Sequence, residues 1–212
     1  MKEVLTIALP TGRLGKSALK NLKAIDMAND VSLKSRKLTF IDEDNIKYIM
    51  VKPVDVITYV EKGVADIGVI GSDVIMEQEG DIYEALDLGF GQCKMSLAGF
   101  ANSDYPFKNN NLTIATKYPN ITKKYYRDSL QKIDIIKING SVELAPLLGL
   151  SDVIVDIVET GNTLRANGLD VIEDMIDISA KAIVNKVSYR FKNELIISIL
   201  EKLKANVGET ND

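Results

Sequence analysis

Short apolar runs alternate along this chain with segments in which apolar residues recur every three or four positions. The first run covers residues 4–9, and the segment after it carries Leu14, Ala18, Leu22 and Ile25 on one helical face. Runs of the first kind predict strands over 4–9, 37–41, 46–51, 82–88, 95–101, 112–116, 133–138 and 153–155, with one more leading from Ala65 into a turn at Gly71.

Helical spacing and capping residues predict the helices. They are expected to begin near Arg13, to span 53–62 before Gly63, to run from Ser72 to a stop at Gly80, to span 121–130, to carry Glu143, and to cover 164–167. A last amphipathic helix is predicted from Val187, Phe191, Leu195, Ile199 and Leu203, with Ile196 and Leu200 widening its apolar face. Strands that alternate with helices favour an α/β fold with mostly parallel sheets.

Residues 152–164 join a buried strand to a turn of small polar residues. Val153, Ile154 and Val155 form an apolar, β-branched run that suits a strand buried on both faces. This run is predicted to end before Asp156, after which the chain turns through residues 160–163 into the short helix that Gly168 closes.

The turn has the chemistry of a site for a phosphorylated sugar. Its backbone N–H groups, the hydroxyls of Thr160 and Thr163, and the close approach that Gly161 permits all suit a phosphate. Carboxylates repel phosphate, so Asp156 and Glu159 are better suited to accept hydrogen bonds from ribose hydroxyls. A ribose 5-phosphate fits both halves. On the residues alone, an ordinary turn with threonine caps is an equal alternative.

Three other segments place polar or cationic residues at turns. One contains Gly12 and Arg13, a second contains Arg36 and Lys37, and a third contains Gly71, Ser72 and Asp73. Each segment also has a simpler interpretation, because charges at helix ends are commonly solvated and charges beside an exposed strand protect its edge. A phosphate or purine against Gly71 and Ser72 is the functional alternative for the third.

Composition narrows the class of protein. The 212 residues are 46% hydrophobic and 26% charged, as in ordinary globular proteins, and the net charge of −4 argues against a nucleic-acid partner. The absence of histidine removes imidazole ligands and histidine-dependent triads. The single cysteine, Cys93, fits a reducing compartment, and the sequence has neither a signal-peptide core nor a membrane span. We therefore expect a cytoplasmic protein.

Several motifs together resemble one enzyme family. The pattern through Glu143, Gly149, Ser151, Ile154, Asp156, Ile157, Thr160, Gly161, Thr163 and Leu164 is similar to the signature of ATP phosphoribosyltransferases. The Pro10 to Leu14 stretch resembles the amino-terminal motif of that family, and Gly63 to Val69 resembles a ligand-cleft strand of periplasmic-binding-protein-like domains. The resemblance implies a two-lobed, type II periplasmic-binding-protein-like fold with a cleft. Its lobes would be residues 1–93 plus 179–212 and residues 94–178.

The resemblance also implies a reaction, in which N1 of ATP attacks phosphoribosyl diphosphate and diphosphate leaves. The residues implied to bind phosphoribosyl diphosphate are Asp156, Ile157, Val158, Glu159, Thr160, Gly161, Asn162 and Thr163. Those implied to bind ATP are Gly12, Arg13, Gly71, Ser72, Asp73 and Glu143. Arg13, Arg36 and Lys37, with Mg²⁺ carried by the substrate phosphates, would neutralise the leaving group.

The resemblance finally implies partners. The chain is similar to the short form of the family, which implies a homo-oligomer that assembles with a regulatory subunit resembling a histidyl-tRNA synthetase. A two-lobed binding module for an anionic small molecule is the non-enzymatic alternative.

Overall fold

The computed structural model describes residues 4–101 and 111–209. The polar residues of 103–111, together with Pro106, predict a loop. This segment lies outside the described residues, except for Asn111, which begins a strand. Within the described part of the chain, none of the helices combines the length and apolar composition that a membrane span requires.

The described residues form eleven strands, of which the first nine match the predicted apolar runs with small shifts at their ends and the last two were not predicted. They are β1 (Leu5–Pro10), β2 (Thr39–Ile41), β3 (Ile46–Val51), β4 (Ile67–Gly71), β5 (Tyr83–Asp87), β6 (Cys93–Phe100), β7 (Asn111–Thr116), β8 (Lys132–Lys137), β9 (Val153–Val158), β10 (Leu169–Ile178) and β11 (Ala180–Val184).

The helices lie between these strands and at the end of the chain. They are α1 (Arg13–Ala24), α2 (Val56–Glu61), α3 (Ser72–Gln78), α4 (Pro119–Tyr125), α5 (Leu144–Leu147), α6 (Asn162–Ala166), α7 (Lys186–Phe191) and α8 (Asn193–Glu209). A 3₁₀ turn over Pro53–Asp55 leads into α2, with the proline at its first position, where its missing N–H costs nothing.

The chain forms two compact units. The first unit is Met1–Gly91 with Ser179–Asp212, and the second is Gln92–Ile178. The chain thus passes from one unit to the other between Gly91 and Gln92, two residues before the predicted end of the first lobe, and returns between Ile178 and Ser179.

The first unit contains a six-stranded sheet in the order β2-β3-β1-β4-β11-β5. Strand β1 is parallel to β3 and β4, whereas β2, β11 and β5 join by antiparallel pairing. Alternate residues of β1 face opposite sides, so Ile7 packs in the core with α1 and α8 and Ala8 packs in the core with α2 and α3. Helices therefore cover both faces of this sheet.

The second unit contains a five-stranded sheet in the order β10-β6-β9-β7-β8. Strand β7 is parallel to β8 and β9, whereas β6 is antiparallel to β9 and β10. Ile154 of β9 packs with Ala145 of α5 and Leu164 of α6 in the core of this unit. Both sheets are mixed, so the prediction of mostly parallel sheets holds only for strands joined by helical crossovers.

Several predicted boundaries were wrong for local physical reasons. Strand β9 continues to Val158, because its pairing with β6 extends through Asp156 to Val158. Helix α3 ends at Gln78 with Glu79 in the left-handed conformation, so the stop precedes Gly80. Helix α4 ends at Tyr125 and not at residue 130. Strand β11 was not predicted at all.

The last predicted helix is two helices, which meet at Lys192. The break turns Val187, Phe191 and Leu195 towards solvent, while Ile196, Ile199 and Leu203 are buried. The sequence from residue 207 onward predicts a frayed polar tail, but the helix continues as far as Glu209.

Candidate active site

In the first unit, two of the predicted turns follow neighbouring parallel strands. Gly12 and Arg13 come after β1, and Ser72 and Asp73 come after β4, whose last residue is Gly71. Because β1 and β4 are parallel and adjacent, the two turns lie at the same edge of the sheet. The carboxyl ends of parallel strands are where α/β proteins bind ligands.

The turn after β1 is shaped by two glycines. Gly12 has a φ of 84° and begins α1, with Arg13 exposed beside it. A Cβ at Gly15 would lie 1.8 Å from the carbonyl oxygen of Pro10, so only glycine lets the first turn of α1 approach the end of β1 this closely. The sequence analysis did not identify Gly15.

The turn after β4 is buried. Asp73 is 7% exposed, and its Oδ1 occupies the space where a Cβ of Gly71 would stand, 2.1 Å away. The Ser72 backbone N–H donates to the Ser179 carbonyl at 2.9 Å, and the Ser179 N–H donates to Ser72 Oγ at 3.2 Å. The two hydrogen bonds fix Ser72 against the residue before β11.

Arg36 and Lys37 lie at the same edge of the first sheet. Both are exposed, and they precede Leu38, whose carbonyl accepts a 2.8 Å hydrogen bond from the Met50 N–H near the end of β3. The Lys37 ammonium lies 5.4 Å from the centre of the Phe40 ring, a cation–π contact that restricts it. The first unit thus gathers Gly12, Arg13, Arg36, Lys37 and the Gly71 turn at one edge.

In the second unit, the loop after β9 is held by an arginine. Gly161 adopts a φ of 69° immediately before α6. Arg165 Nη2 donates to the Thr160 carbonyl at 2.7 Å and to Asn162 Oδ1 at 2.8 Å. Glu159, Thr160, Asn162 and Thr163 are exposed around this bonded loop. The loop is therefore open to a ligand while its backbone is fixed from one side.

Asp156 sits on β9 just before this loop, with its side chain 16% exposed. Its Oδ2 lies 3.6 Å from the Nζ of Lys117, the residue that follows β7. Burial raises the pKa of the Asp156 carboxyl, Lys117 and the Ile157 N–H oppose that rise, and the negative charge of Glu143 adds to it. Ile157 and Val158 are half-buried strand residues.

Glu143 precedes α5 instead of lying within it. It occupies the capping position of that helix with helical dihedrals, and its side chain makes no capping hydrogen bond. Its charge acts on Asp156, so Glu143, Lys117 and the Asp156–Thr163 segment form one polar edge of the second sheet.

Two residues of this edge escaped the sequence analysis. Lys117 directly follows a predicted strand that is parallel to β9, and polar residues at the carboxyl ends of parallel strands share an edge. Arg165 stands three positions after Asn162, the helical spacing at which side chains meet. The sequence contains both signals. The one for Lys117 can be used only when the pairing of β7 with β9 is known, and the one for Arg165 only when the start of α6 is known.

Among the described residues, no three or more cysteine, aspartate or glutamate side chains are grouped so as to hold a metal ion.

Comparison with known proteins identifies the family. The family model described as "HisG: ATP phosphoribosyltransferase" matches residues 52–205. The ATP phosphoribosyltransferase of Clostridioides difficile is 56% identical over 93% of this chain and 96% of its own length. That of Oceanobacillus iheyensis is 50% identical over 96% of this chain and 98% of its own length.

Solved structures agree on fold and family. A chain of the ATP phosphoribosyl transferase (HisG:HisZ) complex from Thermotoga maritima superposes with a TM-score of 0.83 at 38% identity, covering 97% of this chain and 100% of that one. The periplasmic aliphatic sulphonate binding protein of Escherichia coli superposes with a TM-score of 0.64 at 13% identity, over 100% of this chain and 75% of that one, which shows the type II periplasmic-binding-protein-like fold alone. The chain belongs to the ATP phosphoribosyltransferase family.

Proposed function

We propose that this chain carries out its family's transfer, the first step of histidine biosynthesis. N1 of the ATP adenine attacks the anomeric carbon of phosphoribosyl diphosphate. The bond from that carbon to the diphosphate oxygen breaks, and its electron pair leaves with diphosphate. The observation that supports this proposal best is the arginine-held loop after β9, with a largely buried carboxylate next to it, in a chain 56% identical to a named ATP phosphoribosyltransferase.

The loop binds the 5-phosphate of phosphoribosyl diphosphate. Thr160, Gly161, Asn162 and Thr163 offer backbone N–H groups and two hydroxyls, all at exposed or partly exposed positions. Helix α6 has only five residues, so its dipole is small and these local donors supply most of the attraction. Arg165 donates a hydrogen bond from Nη2 to the loop backbone, and its guanidinium adds positive charge beside the phosphate.

The carboxylates before the loop hold the ribose. Asp156 and Glu159 accept hydrogen bonds from the 2- and 3-hydroxyls, and the intervening residues Ile157 and Val158 set their spacing by continuing the strand. A cation-like ribose develops in the transition state, and nearby carboxylates stabilise it.

The cations of the first unit neutralise the departing diphosphate. Arg13, Arg36 and Lys37 are exposed at one sheet edge, where their charges meet negative charge that grows as the bond breaks. Magnesium arrives with the substrate, because Mg²⁺ keeps phosphate oxygens and waters as ligands.

ATP lies against Gly12, Arg13 and the turn of Gly71, Ser72 and Asp73, and Glu143 orients the adenine. Ser72 and Asp73 provide a rigid wall, since both are buried and Ser72 is hydrogen-bonded to Ser179. Positioning of the two substrates supplies much of the rate enhancement, because no covalent intermediate is required.

The chain works as a homo-oligomer together with a regulatory subunit resembling a histidyl-tRNA synthetase. The support is the Thermotoga maritima structure, which is a HisG:HisZ complex and whose matched chain is covered completely. A cytoplasmic location suits this role and the single cysteine, which forms no disulfide.

The test is direct. The purified chain is mixed with ATP, phosphoribosyl diphosphate and Mg²⁺, and diphosphate release is followed, with and without the regulatory subunit. Release that requires both substrates supports the proposal. If phosphoribosyl diphosphate binds but no diphosphate forms under either condition, the chain is a binding module instead.

A further inference from the structure

Asp156 is a carboxylate on an otherwise apolar face of its strand. Side chains alternate along β9, so Asp156 shares a face with Ile154 and Val158, and Ile154 is fully buried in the core of the second unit. A carboxylate there loses much of its hydration, which favours the protonated form unless a positive charge compensates.

The charged groups around Asp156 come from several elements. Lys117 after β7 lies 3.6 Å away, whereas Glu143 before α5 contributes negative charge. Ser96 of β6, directly opposite Asp156, donates to Asp174 of β10 at 2.9 Å, and Asp174 is bonded to Lys94 at 2.7 Å. Lys94 is thus engaged by another carboxylate, and Lys117 is the cation paired with Asp156.

The backbone around Lys117 is anchored to β9. Thr116 is fully buried, and its Oγ1 donates to the Val155 carbonyl at 2.7 Å. The same oxygen accepts a hydrogen bond from the Tyr118 N–H at 2.9 Å. The backbone on either side of Lys117 is therefore held next to Val155, the residue before Asp156.

We infer that Lys117 is a positioning residue for the phosphoribosyl site, because it keeps the Asp156 carboxylate ionised and therefore able to accept hydrogen bonds from both ribose hydroxyls. This inference rests on the proposed function. A protonated Asp156 would bring a donor to the ribose and lose acceptor capacity. Since Lys117 opposes the rise in the pKa of Asp156 that burial and Glu143 cause, removing the lysine raises that pKa further.

The consequence is a shift of the pH profile. In Lys117→Met, the acid limb of kcat/KM for phosphoribosyl diphosphate moves to higher pH by about 1 unit, the low end for loss of a neighbouring charge, because Lys117 is partly exposed. Activity recovers at pH well above that limb. Lys117→Arg keeps the charge and the parent profile. Lys132→Met serves as the matched control. Lys132 is an exposed lysine at the amino end of β8, whereas Lys117 follows the carboxyl end of the parallel strand β7.

The experiment measures pH profiles of the full chain, with the regulatory subunit present, for the parent and the three variants. A second readout is the carboxyl ¹³C NMR titration of Asp156, assigned with Asp156→Asn, which does not depend on turnover. An upward shift in both readouts for Lys117→Met alone supports the inference. A uniform loss across pH with an unshifted NMR titration overturns it. A parent that releases no diphosphate refutes the proposed function instead, and the NMR titration then still decides the role of Lys117.

Discussion

At the scale of single residues, two glycines on either side of α6 form a natural matched pair. Gly161 and Gly168 both adopt left-handed dihedrals, with φ of 69° and 70°. A Cβ at Gly161 would lie 2.9 Å from Nη1 of Arg165, whereas a Cβ at Gly168 would meet nothing within 4 Å. The two positions therefore share a backbone requirement and differ in whether a side chain would disturb the arginine.

We expect Gly161→Ala and Gly168→Ala to separate these effects. Each loses about 1–2 kcal/mol of stability, the cost of a left-handed conformation for an L-residue. Only Gly161→Ala also displaces Arg165 from Thr160 and Asn162, so only this variant loses affinity for phosphoribosyl diphosphate. Chemical denaturation and titration calorimetry measure the two quantities. Equal affinities in both variants would contradict the role of Arg165 in holding the loop.

Arg36 provides a second prediction at this scale. If it meets charge that grows on the leaving diphosphate, Arg36→Ala lowers the single-turnover rate about 10- to 100-fold, the effect of one charge-assisted hydrogen bond, and changes KM less. Lys34→Ala, an exposed cation two positions earlier, is the control. An unchanged single-turnover rate would return Arg36 to the role of an edge-strand charge.

The sequence predicted residues that belong to a contiguous motif and missed those that act through tertiary contacts. The segment from Asp156 to Thr163 could be predicted as a binding site because its strand, turn and helix start follow one another directly in the sequence. Lys117 becomes significant only when β7 is known to pair with β9, and Gly15 only when the end of β1 is known to press on α1. Such contacts depend on topology, which local periodicity does not encode.

At the scale of elements, strand β9 carries a carboxylate, Asp156, on the face that is apolar at Ile154 and Val158. Because burial raises the pKa of Asp156 above its unfolded value, the stability it contributes is greatest at low pH and is lost as pH rises through the folded-state pKa. A neutral isostere at this position does not suffer that loss.

Asp156→Asn should therefore be at least as stable as the parent near pH 7, with an advantage that declines as pH falls through the folded-state pKa of Asp156 and is gone below its unfolded-state pKa. Binding of phosphoribosyl diphosphate should weaken at the same time. Urea denaturation of both proteins across acidic and neutral pH, with calorimetry for the ligand, checks both statements. A variant that is less stable by a constant amount at every pH would show that Asp156 is structural.

The junction between α7 and α8 is fastened to the first sheet through Asp66. This aspartate is 5% exposed and accepts hydrogen bonds from the Thr6 N–H at 2.7 Å, Ser188 Oγ at 2.6 Å and Lys192 Nζ at 3.0 Å. Lys192 is also the residue at which the predicted single helix breaks. The apolar periodicity predicted one helix through Lys192, because the buried aspartate that binds Lys192 lies far away in sequence.

Lys192→Met should lower the free energy of unfolding by about 1.5–3 kcal/mol, since a buried carboxylate loses a charged hydrogen-bond partner. Lys186→Met is the matched control, because its partner Asp81 is 76% exposed and the ion pair is screened by water. The denaturation midpoints of the two variants, compared with that of the parent, measure the two effects. Equal, small shifts would mean that Asp66 is satisfied without Lys192.

At the scale of the whole molecule, the order of the elements could be predicted better than the pairing of the strands. The second unit begins at Gln92, close to the predicted start at residue 94. Strand β11 went unrecognised because Ala180 to Val184 is short and contains Lys181, and its place between β4 and β5 depends on contacts distant in sequence.

Regulation is also a property of the whole assembly. The 212-residue chain covers 100% of the HisG chain of a HisG:HisZ complex, and feedback requires a second site that biases catalysis. We expect diphosphate release by this chain alone to be indifferent to free histidine and to become sensitive when the regulatory subunit is added. Rate assays and thermal-shift assays across a histidine titration test this. Saturable inhibition without the subunit would contradict it.

The insertion of β11 between β4 and β5 also sets the timing of folding on the ribosome. Among the described strands, β5 pairs only with β11, so Tyr83–Asp87 lacks that partner until Ala180–Val184 has been made. At synthesis rates of about 5–20 residues per second, the wait lasts roughly 5–20 s. Residues 92–178 are contiguous and emerge in that interval, so the second unit completes its sheet before the first. The nascent chain therefore displays an open strand edge for seconds, the period in which a chaperone would be of most use to it.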